Sequence, residues 1–142
     1  MNDQLNKRHI VRVSQVMAQS YAMIDGLATI QEAIDLFKQD LASVLLVNKR
    51  HDDDEYGLLL LSDIAKQVVA NDRAPERVNV YEVMSKPVIA VDPDMDVRYC
   101  ARLFERFGLS IAPVIKLQQV VGVVSYNEIV FGGLLGGGQQ IK

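Results

Sequence analysis

Cysteine is almost missing: Cys100 is the only one in 142 residues, so no disulfide can form within the chain. Histidine is nearly as scarce. His9 and His51 stand without the companions that a zinc site or a Ser-His-Asp arrangement requires, and catalysis is not expected. A strong charge of either sign is lacking too. The net charge is −3, which leaves no global field to draw the chain onto nucleic acid or an acidic membrane. Lys7, Arg8 and Arg12 are too few for a nucleic-acid footprint. The longest apolar run, from Ile129 to Gly138, is half glycine and falls short of the roughly 20 residues of a membrane-spanning helix. Residues Met1 to Arg8 carry no apolar core of a signal peptide. A cytoplasmic protein is expected.

What is present is a repeat. Val13-Ser-Gln-Val16-Met17 lies over Val80-Tyr-Glu-Val83-Met84, and the offset of 67 holds without a gap as far as Val47 over Val114. Eight of those 35 pairs are identical, among them Val13/Val80, Met17/Met84, Asp25/Asp92, Phe37/Phe104 and Ser43/Ser110. Past the intervening loop the offset falls to 65, pairing Gly57 with Gly122 and Ile64 with Ile129. A length change confined to one loop is what a structural repeat tolerates. The expected division is an N-terminal arm over 1–12, repeat 1 over 13–70, a linker over 71–78, repeat 2 over 79–133 and a flexible glycine-rich tail over 134–142. One repeat of this size is marginal by itself, so the two should share a core.

In chain order, Ser14 can cap a short turn, and Tyr21 to Ile24 reads as a strand. Asp25-Gly26 turns the chain into the capping box Thr29-Ile-Gln-Glu32, behind which Ile30, Ala33, Ile34, Phe37 and Leu41 form one apolar stripe. Ser43 to Val47 and Gly57 to Leu61 read as strands, and Ser62 as the cap of a helix reaching Ala70. The loop between those strands holds His51-Asp-Asp-Asp-Glu55. A metal site and a solvated hairpin tip both fit it, and the tip is favoured because no calcium-loop spacing accompanies the charges. The second copy repeats the order: a cap at Asn79, a strand Val88 to Val91, and a helix carrying Val97, Cys100, Ala101 and Phe104 that Gly108 ends. Strands follow over Ser110 to Ile115 and Val120 to Ser125, then a helix capped by Asn127. Pro113 hints at a sheet edge or an opened ladder. Cys100 falls at a core position.

Taken together, Val16-Met17 and Val83-Met84, Thr29-Ile-Gln-Glu-Ala33, Ser43-Val-Leu-Leu-Val47, Ser110-Ile-Ala-Pro-Val114, Gly57-Leu-Leu-Leu-Leu-Ser-Asp-Ile64 and Gly122-Val-Val-Ser-Tyr-Asn-Glu-Ile129 resemble a tandem pair of cystathionine-β-synthase (CBS) domains. The resemblance covers residues 13 to 131. It implies an α/β fold of two β-α-β-β-α repeats about a pseudo-twofold axis, with two clefts that hold adenosine ligands such as AMP, ATP or S-adenosylmethionine. It also implies a stand-alone sensor that signals to a protein partner and requires no cofactor. In the family a Thr or Ser meets phosphate, and an Asp three residues on meets the ribose.

Both copies depart from that pattern. Copy one has Asp63 but Leu60 at the hydroxyl position; copy two has Ser125, with Glu128 at the acidic position. Copy two is therefore the expected ligand site, with Ser125 on phosphate, Glu128 on ribose, and the base against Pro87, Val88 and Ile111, Ala112 and Pro113. Ser43, Val44 and Asp63 are the counterparts in copy one. A purely structural dimerisation module with degenerate clefts is the alternative, in which Asp63, Ser125 and Glu128 only cap helices. A symmetric homodimer is expected, because Leu36, Leu103 and Phe107 exceed a single helix stripe.

Overall fold

In the computed structural model, which describes residues 10–86 and 88–134, the chain runs α1 (Val13–Val16), β1 (Tyr21–Ile24), α2 (Ile30–Asp40), β2 (Val44–Val47), β3 (Gly57–Leu59), α3 (Leu61–Ile64), α4 (Val97–Phe107), β4 (Ile111–Lys116), β5 (Gln119–Ser125) and a π-helical α5 (Glu128–Gly132). Its mixed α/β character follows the sequence pattern. Two compact units result, one from residue 20 to 88 and one that joins the segment before residue 20 to the chain from 89 onward.

In the first unit the capping box forms as the sequence demands. Glu32 N–H donates to Thr29 Oγ1 at 3.1 Å, and Thr29 N–H donates to Glu32 Oε1 at 3.3 Å. α2 then buries Ile30, Ala33 and Phe37 against a three-stranded sheet of order β1-β2-β3. β1 pairs with β2 in parallel, Tyr21 opposite Val44 through Ile24 opposite Val47, and β2 pairs with β3 antiparallel. Every residue of β2 is buried, which is why its sequence is a continuous apolar run and not an alternating one. Burial of each such side chain stabilises by roughly 1.5 to 3 kcal/mol.

Part of that core comes from the linker and the other repeat. Val78, Val80 and Val83 are at most 2% exposed and join the cluster of Ile30, Phe37, Leu45 and Leu59. Residues 71–78 are thus only partly a linker: Pro75–Arg77 is a 3-10 turn, and the Val78 carbonyl accepts the N–H of Ile30 at 2.8 Å.

The second unit is built the same way. β4 and β5 pair antiparallel, α4 buries Val97, Cys100 and Phe104, and Val11 and Val13 complete the cluster from the chain's beginning. The expected arm is therefore anchored by residue 11; Val13 N–H donates to the Met95 carbonyl, and Val97 N–H to that of Val11, both at 2.8 Å. The sharing of core between repeats takes the form of an exchange of their leading segments. Residues 1–9, and the tail from residue 135, lie outside the described residues.

Several local expectations shift. Leu41 leaves the apolar stripe: it caps α2 in the left-handed conformation (φ 51°) and is 83% exposed. Leu60 follows β3 and caps α3, so Leu61 and Ser62 are already helical. Arg12, not Ser14, caps α1 through its N–H to Gln15 Oε1 at 2.7 Å. Asn127 is already helical: helical backbone starts directly after β5, at Tyr126, leads into the π-helical α5 and continues through Leu134. The strand expected over Val88 to Val91 shrinks to one parallel bridge, Val91 to Val114, in which Val91 N–H donates to the Pro113 carbonyl and Ile115 N–H to that of Val91. A parallel ladder would next take an N–H from residue 113 to residue 89, and proline has none.

Candidate functional site

The turn from β5 into the last helix holds the expected pair. Glu128 Oε1 accepts the backbone N–H and the hydroxyl of Ser125, each at 2.7 Å. The carboxylate returns three residues to cap its own helix, an arrangement that satisfies two donors at a helix start. Glu128 Oε2 takes no hydrogen bond from the described residues. The counterpart in the first unit is alike, with Leu60 N–H donating to Asp63 Oδ2 at 2.9 Å. Having no hydroxyl, Leu60 offers one donor fewer.

Strand register decides which other candidates stand with these. Ile111 is opposite Ser125, Ala112 opposite Val124 and Pro113 opposite Val123, so that trio and the Ser125–Glu128 pair share one sheet end. Val88 belongs to the other unit, with Asp63, and Pro87 lies outside the described residues. Beside β5 runs the segment after Met17 instead. Ala18 N–H donates to the Val123 carbonyl at 2.7 Å, Val123 N–H returns to Ala18 at 2.9 Å, and Gln19 Nε2 donates to the Val121 carbonyl at 3.0 Å. Among the candidates of copy one, Val44 is buried opposite Tyr21, while Ser43 Oγ donates to the Ser20 carbonyl at 3.0 Å.

Ala18 and Gln19 are absent from the sequence-derived site, yet a signal for them exists in Gly122. A Cβ there would stand 2.7 Å from Met17 Sδ and 3.2 Å from the Ala18 carbonyl oxygen, so glycine lets that segment lie on β5 without displacing Met17 or its backbone. Gly57 plays the same part under Met84, whose Sδ would be 2.5 Å from an added Cβ. The methionine of each repeat packs on the glycine of the other.

Asp96, Cys100 and Asp54 sit outside this turn in structural surroundings. The Asp96 carboxylate is held below its usual range by Arg98, whose guanidinium donates to it at 2.8 Å. Burial pushes the Cys100 thiol up to about 11, which disfavours the reactive thiolate. In the loop of His51, Asp54 forms an ion pair with Lys86 and accepts the N–H of Arg50. No group of three or more His, Cys, Asp or Glu among the described residues is placed to hold a metal ion. No helix among them is long and apolar enough to cross a membrane.

Similarities to known proteins agree with this architecture. The CBS domain family matches residues 80–132. The hexameric CBS-CP12 protein from bloom-forming cyanobacteria is 32% identical with a TM-score of 0.84, over 93% of this chain and 76% of that one. The CBS domain pair of protein MJ0100, solved with 5′-methylthioadenosine and S-adenosyl-L-methionine, is 23% identical with a TM-score of 0.72, over 89% of this chain and 100% of that one. A homoserine O-acetyltransferase of Methanohalobium evestigatum is 30% identical over 75% of this chain. The chain spans 22% of that protein's length and 50% of another curated relative's. With a CBS match in the second repeat, the same fold over both repeats and the Val-Met and glycine positions in register, the chain belongs to the CBS-domain family, as a tandem pair.

Proposed function

We propose that the chain is a regulatory module that binds an adenosine-type ligand beside Ser125 and Glu128 and passes its occupancy to a protein partner. The supporting observation is the bond from Ser125 Oγ to Glu128 Oε1 at 2.7 Å. It commits the hydroxyl proton to the carboxylate, and it leaves Glu128 Oε2 as an acceptor for the ribose diol. A phosphate at Ser125 would have to displace that bond while facing a carboxylate. Of AMP, ATP and S-adenosylmethionine, the site therefore favours S-adenosylmethionine, which has no phosphate. The ligands of the MJ0100 pair lack phosphate as well. This differs from the sequence expectation, in which Ser125 serves phosphate.

Isothermal titration of the full chain with the three ligands tests the proposal. Saturable heat from S-adenosylmethionine, with AMP and ATP at least tenfold weaker, is expected; no heat from any of them favours the second reading. That reading, a structural dimerisation module, draws on the cap bonds that already occupy Asp63 and Glu128. Either way we propose a cytoplasmic homodimer with no catalysis of its own. Phe107 and Tyr99 are 52% and 58% exposed on α4, although Leu36 and Leu103 are half-buried within their own units. Sedimentation at micromolar concentration should give a dimer, and a monomer alone would contradict this part.

A further inference from the structure

A cavity of about 380 Å³ lies in the unit of residues 20–88, walled by Asp25, Lys49, Arg50, Tyr81, Met84 and Lys86. It opens where β1 and β2 end, whereas Val44 and Leu60 mark the sheet's other end. Three residues of strand separate the two ends of β2, or about 10 Å. None of its residues belongs to the Ser125–Glu128 group, so its ligand chemistry is independent of the adenosine reading.

Its charges are lopsided. Three cations face one carboxylate, and that carboxylate, Asp25, already accepts the N–H of Leu27 at 2.8 Å through Oδ1. Lys49 and Arg50 have no carboxylate within ion-pair distance among the described residues; the Lys49 ammonium instead sits 5.2 Å above the ring of Tyr56. Lys86 pairs with Asp54 just outside the wall, which uses one of its three N–H donors. Concave walls that gather unpaired cations concentrate counter-anions, and a guanidinium offers a fork that fits a phosphate or carboxylate in two-point contact. Tyr81 and Met84 add an apolar side to the same cavity. Pockets of this size, apolar on one side with a few convergent charges on the other, suit small organic ligands.

We propose that this pocket binds a compact anion of two or more charges, a phosphate ester or a dicarboxylate, through Lys49, Arg50 and Lys86. The site is held by the hairpin loop, because Asp54 bonds both Arg50 N–H and Lys86. Inorganic pyrophosphate and succinate are the probes, titrated into the full chain by calorimetry. At least one should give saturable heat, and which one does separates phosphate from dicarboxylate recognition. The double variant Lys49→Gln, Arg50→Gln should weaken that binding tenfold or more. Lys38→Gln with Lys66→Gln removes the same charge elsewhere on this unit and should change it less than twofold, since exposed charges act weakly beyond about 10 Å at 0.1 M salt. Absence of heat from both probes, or an equal loss in the two double variants, overturns the proposal. If the pocket variant melts early, amide shifts in the unaltered chain decide: movement at residues 47–50 supports it, and movement elsewhere overturns it.

Discussion

At the scale of single residues, the carboxylates at the helix starts do two things that sequence keeps apart. Glu128 caps its helix through Oε1 and leaves Oε2 available. Glu128→Gln retains a cap acceptor but puts an amide nitrogen in place of the free oxygen. A hydrogen bond to a charged group is worth about 1.5 to 3 kcal/mol, so this variant should weaken S-adenosylmethionine binding about tenfold to a hundredfold, and Ser125→Ala less than threefold, by titration. A larger loss in Ser125→Ala would show that the hydroxyl serves the ligand after all. The motif is legible in the sequence; the direction of the hydroxyl proton is not, because it depends on a 2.7 Å contact that only the folded turn creates. Asp54 gives a pH prediction. Lys86 holds its carboxyl well below the usual carboxylate range, so its contribution to stability is present above about pH 4 and lost as pH falls from there through the lowered folded value. Asp54→Asn should therefore lower the melting temperature at pH 7 and by less at pH 3, and a difference independent of pH would contradict the pairing.

At the scale of elements, helices are most legible where a cap announces them. Thr29 with Glu32 marks α2, and Gly108, with φ 65°, marks the end of α4. Leu41, the repeat's counterpart of Gly108, falls in the stripe by sequence because its apolar side chain has helical spacing. In the structure it adopts the left-handed conformation glycine would take without strain. That conformation costs a non-glycine residue about 1 to 2 kcal/mol, so Leu41→Gly should raise the melting temperature by about 2 to 8 °C; an unchanged or lower value would mean the strain is relieved elsewhere. The strand expected over Val88 to Val91 fails for a different reason. Its composition suits a strand, but its ladder partner is Pro113, and a missing donor so far along the chain is invisible to local pattern. Leu46 stands at that position in the first repeat, and β1 there pairs along its full length.

At the scale of the whole chain, the repeat is legible and the cut between units is not. Periodicity places the boundary at the start of each Val-Met segment, yet packing places those segments in the opposite unit: Val78, Val80 and Val83 with the first, Val11 and Val13 with the second. The glycines that admit them, Gly57 and Gly122, stand in the sequence as repeat markers, and only the fold turns them into contact points. A fragment of residues 20–88 contains a whole apolar cluster, whereas 13–70 lacks the part supplied by residues 78 to 83. The former should show a cooperative melt by circular dichroism, and the latter none; the opposite order would refute the exchange. The proposed adenosine site, for a ligand without phosphate, lies where β4, β5 and the segment after Met17 meet. Mapping backbone amide shifts over the full chain on adding S-adenosylmethionine tests it most directly. The expected result is saturable movement at Ala18, Gln19, Ile111, Ser125 and Glu128. Movement confined to Ser43, Val44 and Asp63, or no saturable movement at all, would contradict it.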